Sequence, residues 1–336
     1  MKRHIAKGFA AITATCCAAL MAASASFAQE VQLRMESPVG MSFLWTQIYV
    51  RFADEVTEKT GGDVKIQIFA NSELSRDTIT QFENIQAGTV DGAVVNSQPL
   101  SVFDERLNVF SLPFQAGSAE EYYALLDGPG KELWQSAFDK LGVVGIPEAS
   151  SMGGFRQLTN SKRVVRTPAE LEGLTIRMPG SPLYKDVWET LNVNTSSMPF
   201  GEMITALEKG VVDGQENPTN IIEAGKLFEY QDYLTVWNYS NSALTFAFNE
   251  GSWKKLSDDQ QKIMREAAVN AANWHREEIK KVDAELLDRY GKDGAFKEIS
   301  MLSSDEIASF KQAMEPVYKI WSERLGSDVA GPFLPK

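Results

Sequence analysis

Ile85-Gln86-Ala87-Gly88-Thr89-Val90-Asp91-Gly92 is echoed further along the chain by Leu207-Glu208-Lys209-Gly210-Val211-Val212-Asp213-Gly214. Both copies follow a helical pattern. In each, a glycine can supply the left-handed cap that ends the helix before Val-Asp-Gly leads into a strand or its loop. Read as a repeat, the echo places an equivalent helix-to-strand unit in each of two lobes. Asn96 and Asn217 follow the two copies, near the strand ends where open α/β sheets bind ligands. The residues before the first copy agree. Val31 to Met35 alternates like a strand, Leu44, Ile48, Phe52 and Val56 mark one face of a helix over Ser42 to Thr60, and Val64 to Phe69 reads as a second strand. This β-α-β start predicts a mostly parallel sheet covered by helices.

Ser257 to Tyr290 reads as one long helix. Ser257 and Gln260 form a capping box, Asp258 and Asp259 suit the positive N-terminus, and Gly291 can end it. Ile263, Ala267, Ala271, Trp274, Val282 and Leu286 form its apolar stripe. At ~1.5 Å per residue such a helix runs about 50 Å and can brace both lobes. The expected fold is therefore α/β and two-lobed, with mixed sheets flanked by helices, a hinge, and a long helix crossing both lobes.

Lys2, Arg3 and Lys7 precede an apolar stretch from Gly8 to about Ala23, and Ser26-Phe27-Ala28 offers small residues at a cleavage site. This pattern predicts a signal peptide over residues 1–28, cut after Ala28. Cys16 and Cys17 lie inside it without the leucine that a lipid-anchor signal carries three positions earlier. The stretch is shorter than the ~20 apolar residues of a spanning helix. Without the leader the chain has no cysteine and keeps only His275. A multi-histidine zinc site is thereby excluded, and no metal ligand, cofactor or catalytic residue is assigned. Three of the 33 basic residues leave with the leader, so the net charge falls from −12 to about −15. Nucleic acid and anionic membranes are unsuitable partners for such a surface, and any anion site must be built locally from placed cations.

Two arginines are placed for that task. Arg177 ends the short strand pattern Gly173-Leu174-Thr175-Ile176-Arg177-Met178, from which its planar fork can grip a carboxylate; the alternative is a surface arginine paired with an acid. Arg156 follows Gly153-Gly154-Phe155 at an expected lobe crossing, where an interdomain salt bridge is the competing role. Gln215-Glu216-Asn217-Pro218 is a polar loop whose amides can complete an anion site. Phe200 opens a helical pattern after Pro199, either as core or as ligand wall. Trp237, Tyr239 and Asn241 alternate along a strand-like run and share a face.

Several of these segments together resemble the solute-binding proteins of tripartite ATP-independent periplasmic (TRAP) transporters, the DctP-like family. They are Asn71-Ser72-Glu73-Leu74-Ser75-Arg76-Asp77, Phe110-Ser111-Leu112-Pro113-Phe114, Arg156-Gln157-Leu158-Thr159, Leu174-Thr175-Ile176-Arg177, and above all Val212-Asp213-Gly214-Gln215-Glu216-Asn217-Pro218. The resemblance implies a periplasmic receptor, not an enzyme. It implies that Arg177 makes the double salt bridge to a ligand carboxylate, that Arg156 and Asn217 add contacts, and that Phe200 packs on the solute. Ligand-dependent first-lobe positions fall on Glu36, Glu73, Asp77 and Asn96, and Tyr239 joins the set. Sialic-acid binders have asparagine and glutamate where this sequence has Glu36 and Asn96, so a hydroxylated acid such as a uronate or aldonate is expected instead. Residues 29–152 with about 242–282 are expected to form lobe I, and 153–241 with about 283–336 lobe II. A monomer delivering its solute to a small and a large membrane subunit is expected. The competing readings are a binding protein of an ATP-driven importer, a sensor subunit using the same cleft, and a secreted hydrolase using paired carboxylates such as Glu216 and Glu73.

Overall fold

The structure, a computed structural model, describes residues 30–335. The expected leader and its cleavage point lie outside these residues. The strands are β1 (Val31–Glu36), β2 (Val64–Phe69), β3 (Gly92–Asn96), β4 (Val143–Ser151), β5 (Arg156–Asn160), β6 (Thr175–Met178), β7 (Asn194–Ser197), β8 (Gly214–Pro218), β9 (Tyr233–Val236), β10 (Ala243–Asn249) and β11 (Glu298–Met301). They form two sheets, ordered β2-β1-β3-β10-β4 and β11-β9-β5-β8-β6-β7.

In each sheet a single strand runs against its neighbours: β10 in the first and β5 in the second. The connections explain why. Chain leaving β4 enters β5 through residues 152–155, and chain leaving β9 enters β10 through residues 237–242. The other strands deliver their carboxyl ends to the gap between the sheets, so a strand that starts at the gap must run away from it. Gly153 and Gly154 permit the first crossing. A Cβ on Gly153 would meet Asn220 Oδ1 at 2.2 Å, and Gly154 has φ +90°. The run from Trp237 to Asn241 is buried as expected but makes no ladder, because Asn238 takes a left-handed turn at φ 49° between the two sheets.

The echo is a structural repeat. Helices Thr78–Ala87 and Phe200–Glu208 lead into β3 and β8, with Gly88 and Gly210 left-handed just beyond them. Asp91 N–H donates to Arg34 O at 2.9 Å while Arg34 N–H donates to Asp91 Oδ2 at 2.8 Å. Asp213 repeats this clamp on Thr175, at 2.7 and 2.8 Å. A Cβ on Gly92 would lie 3.0 Å from the Ala247 carbonyl oxygen, and one on Gly214 would lie 2.3 Å from that of Thr159. Each Val-Asp-Gly thus fastens a strand to a parallel neighbour on one side and lets the antiparallel strand approach on the other. Asn96 and Asn217 are not equivalent, since they sit at the fifth and fourth positions of their strands.

The long helix spans Asp258–Asp293 with the expected capping box at Ser257. It ends at Gly294, whose φ is 64°, and not at Gly291, which an open helix surface tolerates. Its buried stripe is also turned from the expected one. Met264, Ala267, Ala271, His275, Ile279, Leu286 and Tyr290 face inward, while Ile263, Trp274 and Val282 are only half-buried. Its first half packs on the helix Leu44–Lys59 and on β4, and its second half on the helix Thr219–Ala224 and the second core. The C-terminal residues belong to both lobes: β11 joins the second sheet, while Trp321 Nε1 donates to Asp186 and Arg324 pairs with Glu105.

His275 is fully buried and shares a 2.9 Å hydrogen bond with Ser150 Oγ of β4. Burial pushes its imidazole down to about 3. The unfolded chain takes up this proton near pH 6.5, so the resulting stability is complete above that pH and is lost as the pH falls toward 3. At about pH 5 the loss should reach about 2 kcal/mol. Urea unfolding at about pH 7.5 and 5 should show this slope in wild type and its removal in His275→Gln.

Candidate functional site

Because parallel strands end at the gap and β5 and β10 begin there, the expected residues collect along one edge of each sheet. Glu36 ends β1, Asn96 ends β3, Arg156 begins β5, Arg177 is next to last in β6 and Asn217 next to last in β8. Glycine-assisted crossings and the strand pattern place them. Hydrogen bonding decides which of them remain available.

Arg156 is not free. Its Nη2 donates to Glu216 Oε1 at 2.9 Å and to Asn217 Oδ1 at 3.1 Å, and its Nε donates to Glu216 Oε2. Tyr239 Oη donates to the same Glu216 oxygen at 3.2 Å, and the Tyr184 ring lies 5.7 Å from the guanidinium. Burial, the largest single influence, would lower the Arg156 guanidinium, but the Glu216 charge and hydrogen bond together with the neighbouring Tyr184 and Tyr239 raise it. The salt bridge of Arg156 is therefore not the interdomain one expected as its competing role, but a pair within the second sheet, between β5 and β8. Tyr239 serves to hold Glu216.

Arg177 is the opposite case. It is 3% exposed, and its Nε and Nη2 both donate to the carbonyl oxygen of Met198, at 3.1 and 2.7 Å. Among the described residues no carboxylate pairs with it. Burial, reinforced by the Arg156 charge, pushes its guanidinium down to about 10. Two buried arginines and one buried glutamate leave a single uncompensated positive charge at this sheet edge, which a bound anion would satisfy.

Phe200, the first residue of its helix, is half-buried and touches both hydrophobic cores. Its ring stands at 90° to that of Phe43, with centroids 5.9 Å apart. Phe43 sits between β1 and the helix Leu44–Lys59 and comes from the first sheet's side. Sequence reading missed it because nothing in a lone aromatic before a helix marks a contact with a distant lobe.

The first-lobe candidates divide. Asn96 is buried and bridges to the second crossing: Oδ1 accepts from Gln98 N–H at 2.9 Å and Nδ2 donates to Ser242 Oγ at 3.3 Å. Glu36 is fully buried, with Oε1 accepting the Leu74 and Ser75 N–H groups at 2.6 and 2.8 Å. Asp77 caps the helix Thr78–Ala87 by accepting from Thr80 N–H at 2.8 Å, and Glu73 is exposed. The structure therefore gives Asp77 a capping role and leaves Glu73 outside the buried set. A hollow of about 550 Å³ elsewhere, lined by Gln135, Glu148, Arg265 and Asn270, contains none of these residues.

Residues 39–324 match the bacterial extracellular solute-binding proteins of family 7, the DctP family. The chain belongs to this family. A solute-binding protein of Roseobacter denitrificans is 32% identical over 271 residues, covering 80% of this chain and 81% of that one. A TRAP periplasmic solute-binding protein from Ralstonia eutropha with bound (S)-2-acetolactate superposes with a TM-score of 0.84 at 30% identity, over 89% of this chain and 96% of that one. One from Sulfitobacter with bound β-D-galacturonate gives 0.83 at 26%, over 90% and 99%. The protein is thus a TRAP solute-binding protein, a member of a family of transporter binding proteins and not of enzymes.

Breaking a buried ion pair leaves its partner charged in a dry site, which costs about 3–5 kcal/mol. Glu216→Ala should lose stability of that order in urea unfolding, because Arg156 then lacks its counter-charge and two uncompensated guanidinium charges lie buried at the same edge.

Proposed function

We propose that this protein is an exported receptor that captures a hydroxylated organic acid, of the uronate or aldonate class, and delivers it to the small and large membrane subunits of a TRAP transporter. The observation that carries this reading is Arg177, a buried guanidinium held by one carbonyl and, among the described residues, paired with no carboxylate. A protein leaves such a group unpaired at a cost. A solute carboxylate would relieve that cost through two parallel charge-assisted hydrogen bonds. The net charge of the edge, one positive, suits a solute with one carboxylate. The solutes bound by the Ralstonia and Sulfitobacter relatives each have one carboxylate and at least one hydroxyl, which supports the same class.

In this reading Asn217 completes the carboxylate site and Phe200 packs on the solute, with Arg156 and Glu216 holding the frame. Contacts from both lobes favour the closed state, since a ligand shifts a conformational equilibrium only by its differential contacts with the two states. The Phe43–Phe200 contact between the lobes would add to that closed state.

Each charge-assisted hydrogen bond is worth about 1.5–3 kcal/mol, against about 8 kcal/mol for micromolar binding. Thermal-shift and calorimetric titration of residues 29–336 with uronates, aldonates and keto acids should give binders among the acids, all lost in Arg177→Ala. That variant should itself be no less stable than wild type without ligand, because it removes an uncompensated buried charge. Near-normal acid binding by Arg177→Ala would remove the reading.

A further inference from the structure

Asn220, the second residue of the helix Thr219–Ala224, is 8% exposed, and both the nitrogen and the oxygen of its side-chain amide are buried without a hydrogen-bond partner. A buried amide bonded at neither end calls for an explanation. Anchoring the helix is not one, because Thr219 does that: its hydroxyl donates to Asp283 on the long helix, and its carbonyl accepts from Tyr290 Oη at 3.4 Å. The arginine edge is not one either, since Arg156 and Arg177 find their partners without Asn220.

The amide lies against the first crossing between the lobes. A Cβ on Gly153 would fall on the Asn220 side chain, with Nδ2 2.8 Å away. On both sides of Gly153 the crossing is fastened: Met152 N–H donates to Ser242 O at 2.9 Å, Gly154 N–H to Ser151 Oγ at 3.0 Å, and Arg156 N–H to Ser240 O at 2.8 Å. Gly153 is buried as well, yet among the described residues neither its N–H nor its carbonyl oxygen is bonded. An unbonded amide and an unbonded peptide thus lie side by side. Backbone rotation is easiest at glycine, so Gly153 and Gly154 are where the crossing turns when the lobes move. The arrangement here is closed: Phe43 of one lobe meets Phe200 of the other, and Arg177 is buried.

We propose that Asn220 is a catch on the hinge that opposes closure: when the lobes part and the crossing turns, its amide bonds the Gly153 peptide, and closure breaks that bond. The proposal rests on the reading that solute is captured by closure of the two lobes. Closure then carries a standing penalty, because two polar groups that share a bond in the open state are left unbonded in the closed one. Solute contacts must exceed it, and the affinity of the site is lowered by the fraction of molecules able to close. The same penalty returns an emptied receptor to the open state.

Residues 29–336 contain no cysteine, so spin labels can be placed at one exposed position in each lobe, Asp54→Cys and Lys185→Cys, and the distance between them read by pulsed EPR. Asn220→Leu keeps the size of the side chain and removes the amide. Without solute it should raise the ratio of short to long distances about fivefold or more over the labelled wild type. In calorimetry it should tighten the binding of D-galacturonate or D-erythronate by a similar factor. Asn220→Ala carries the same expectation should the leucine variant not fold. A role confined to stability would shift urea unfolding and leave distances and affinities unchanged; that result, or a shift toward the long distances, would overturn the proposal. Should neither acid bind, the distances alone decide. Normal acid binding by Arg177→Ala would remove the carboxylate reading and leave the distances to decide the catch.

Discussion

The buried pair of Arg156 and Glu216 is the interaction on which the site depends. It ties the first residue of β5 to β8, gives Tyr239 an acceptor at the second crossing, and fixes Asn217 through the same guanidinium. It also settles the electrostatics. With Glu216 committed to Arg156, Arg177 is left with only the Met198 carbonyl, and the edge carries one positive charge. An otherwise similar site in which Glu216 served both arginines equally would have less need of an anion. In the proposed reading, specificity for an acid arises from this shortage of negative charge.

That arrangement is possible because of how the chain is threaded. Parallel strands end at the gap between the sheets, and the two strands that begin there run the opposite way. Every strand therefore presents an end to the same space. The Asp91 and Asp213 clamps and the Cβ-less approaches at Gly92 and Gly214 build this geometry twice with the same local chemistry. The long helix then packs on both lobes, with His275 and Ile279 near the crossing and Leu286 and Tyr290 in the second core. In the proposed reading, solute capture uses the edge that is short of negative charge at Arg177.

Much of this was legible in the sequence, and for local reasons. The Val-Asp-Gly echo, the capping box at Ser257, the four-residue periodicity of Leu44 to Val56 and the Gly-Gly crossing depend on backbone rules acting over a few residues, so they could be read directly. The family resemblance named the arginines. What it could not reveal was which polar groups were already spent. Asp77 is consumed as a helix cap, Glu73 is exposed, Tyr239 is bound to Glu216, and Arg156 carries its own counter-charge. The Tyr239–Glu216 and Arg156–Glu216 pairings depend on partners distant in sequence, whereas the Asp77 cap is a contact with Thr80 three residues on. The same limit misplaced the buried stripe of the long helix, where small alanines allow either face to pack and only the neighbours choose.

By itself the sequence determined the two-lobed α/β architecture and the set of candidate residues, because propensity, capping and strand direction are local. Only the tertiary structure decided that, among the described residues, Arg177 has no carboxylate partner and one Glu36 oxygen no hydrogen-bond donor, and that Phe43 meets Phe200. The reason is that pairing and burial are properties of distant chain segments brought together, which no local pattern encodes.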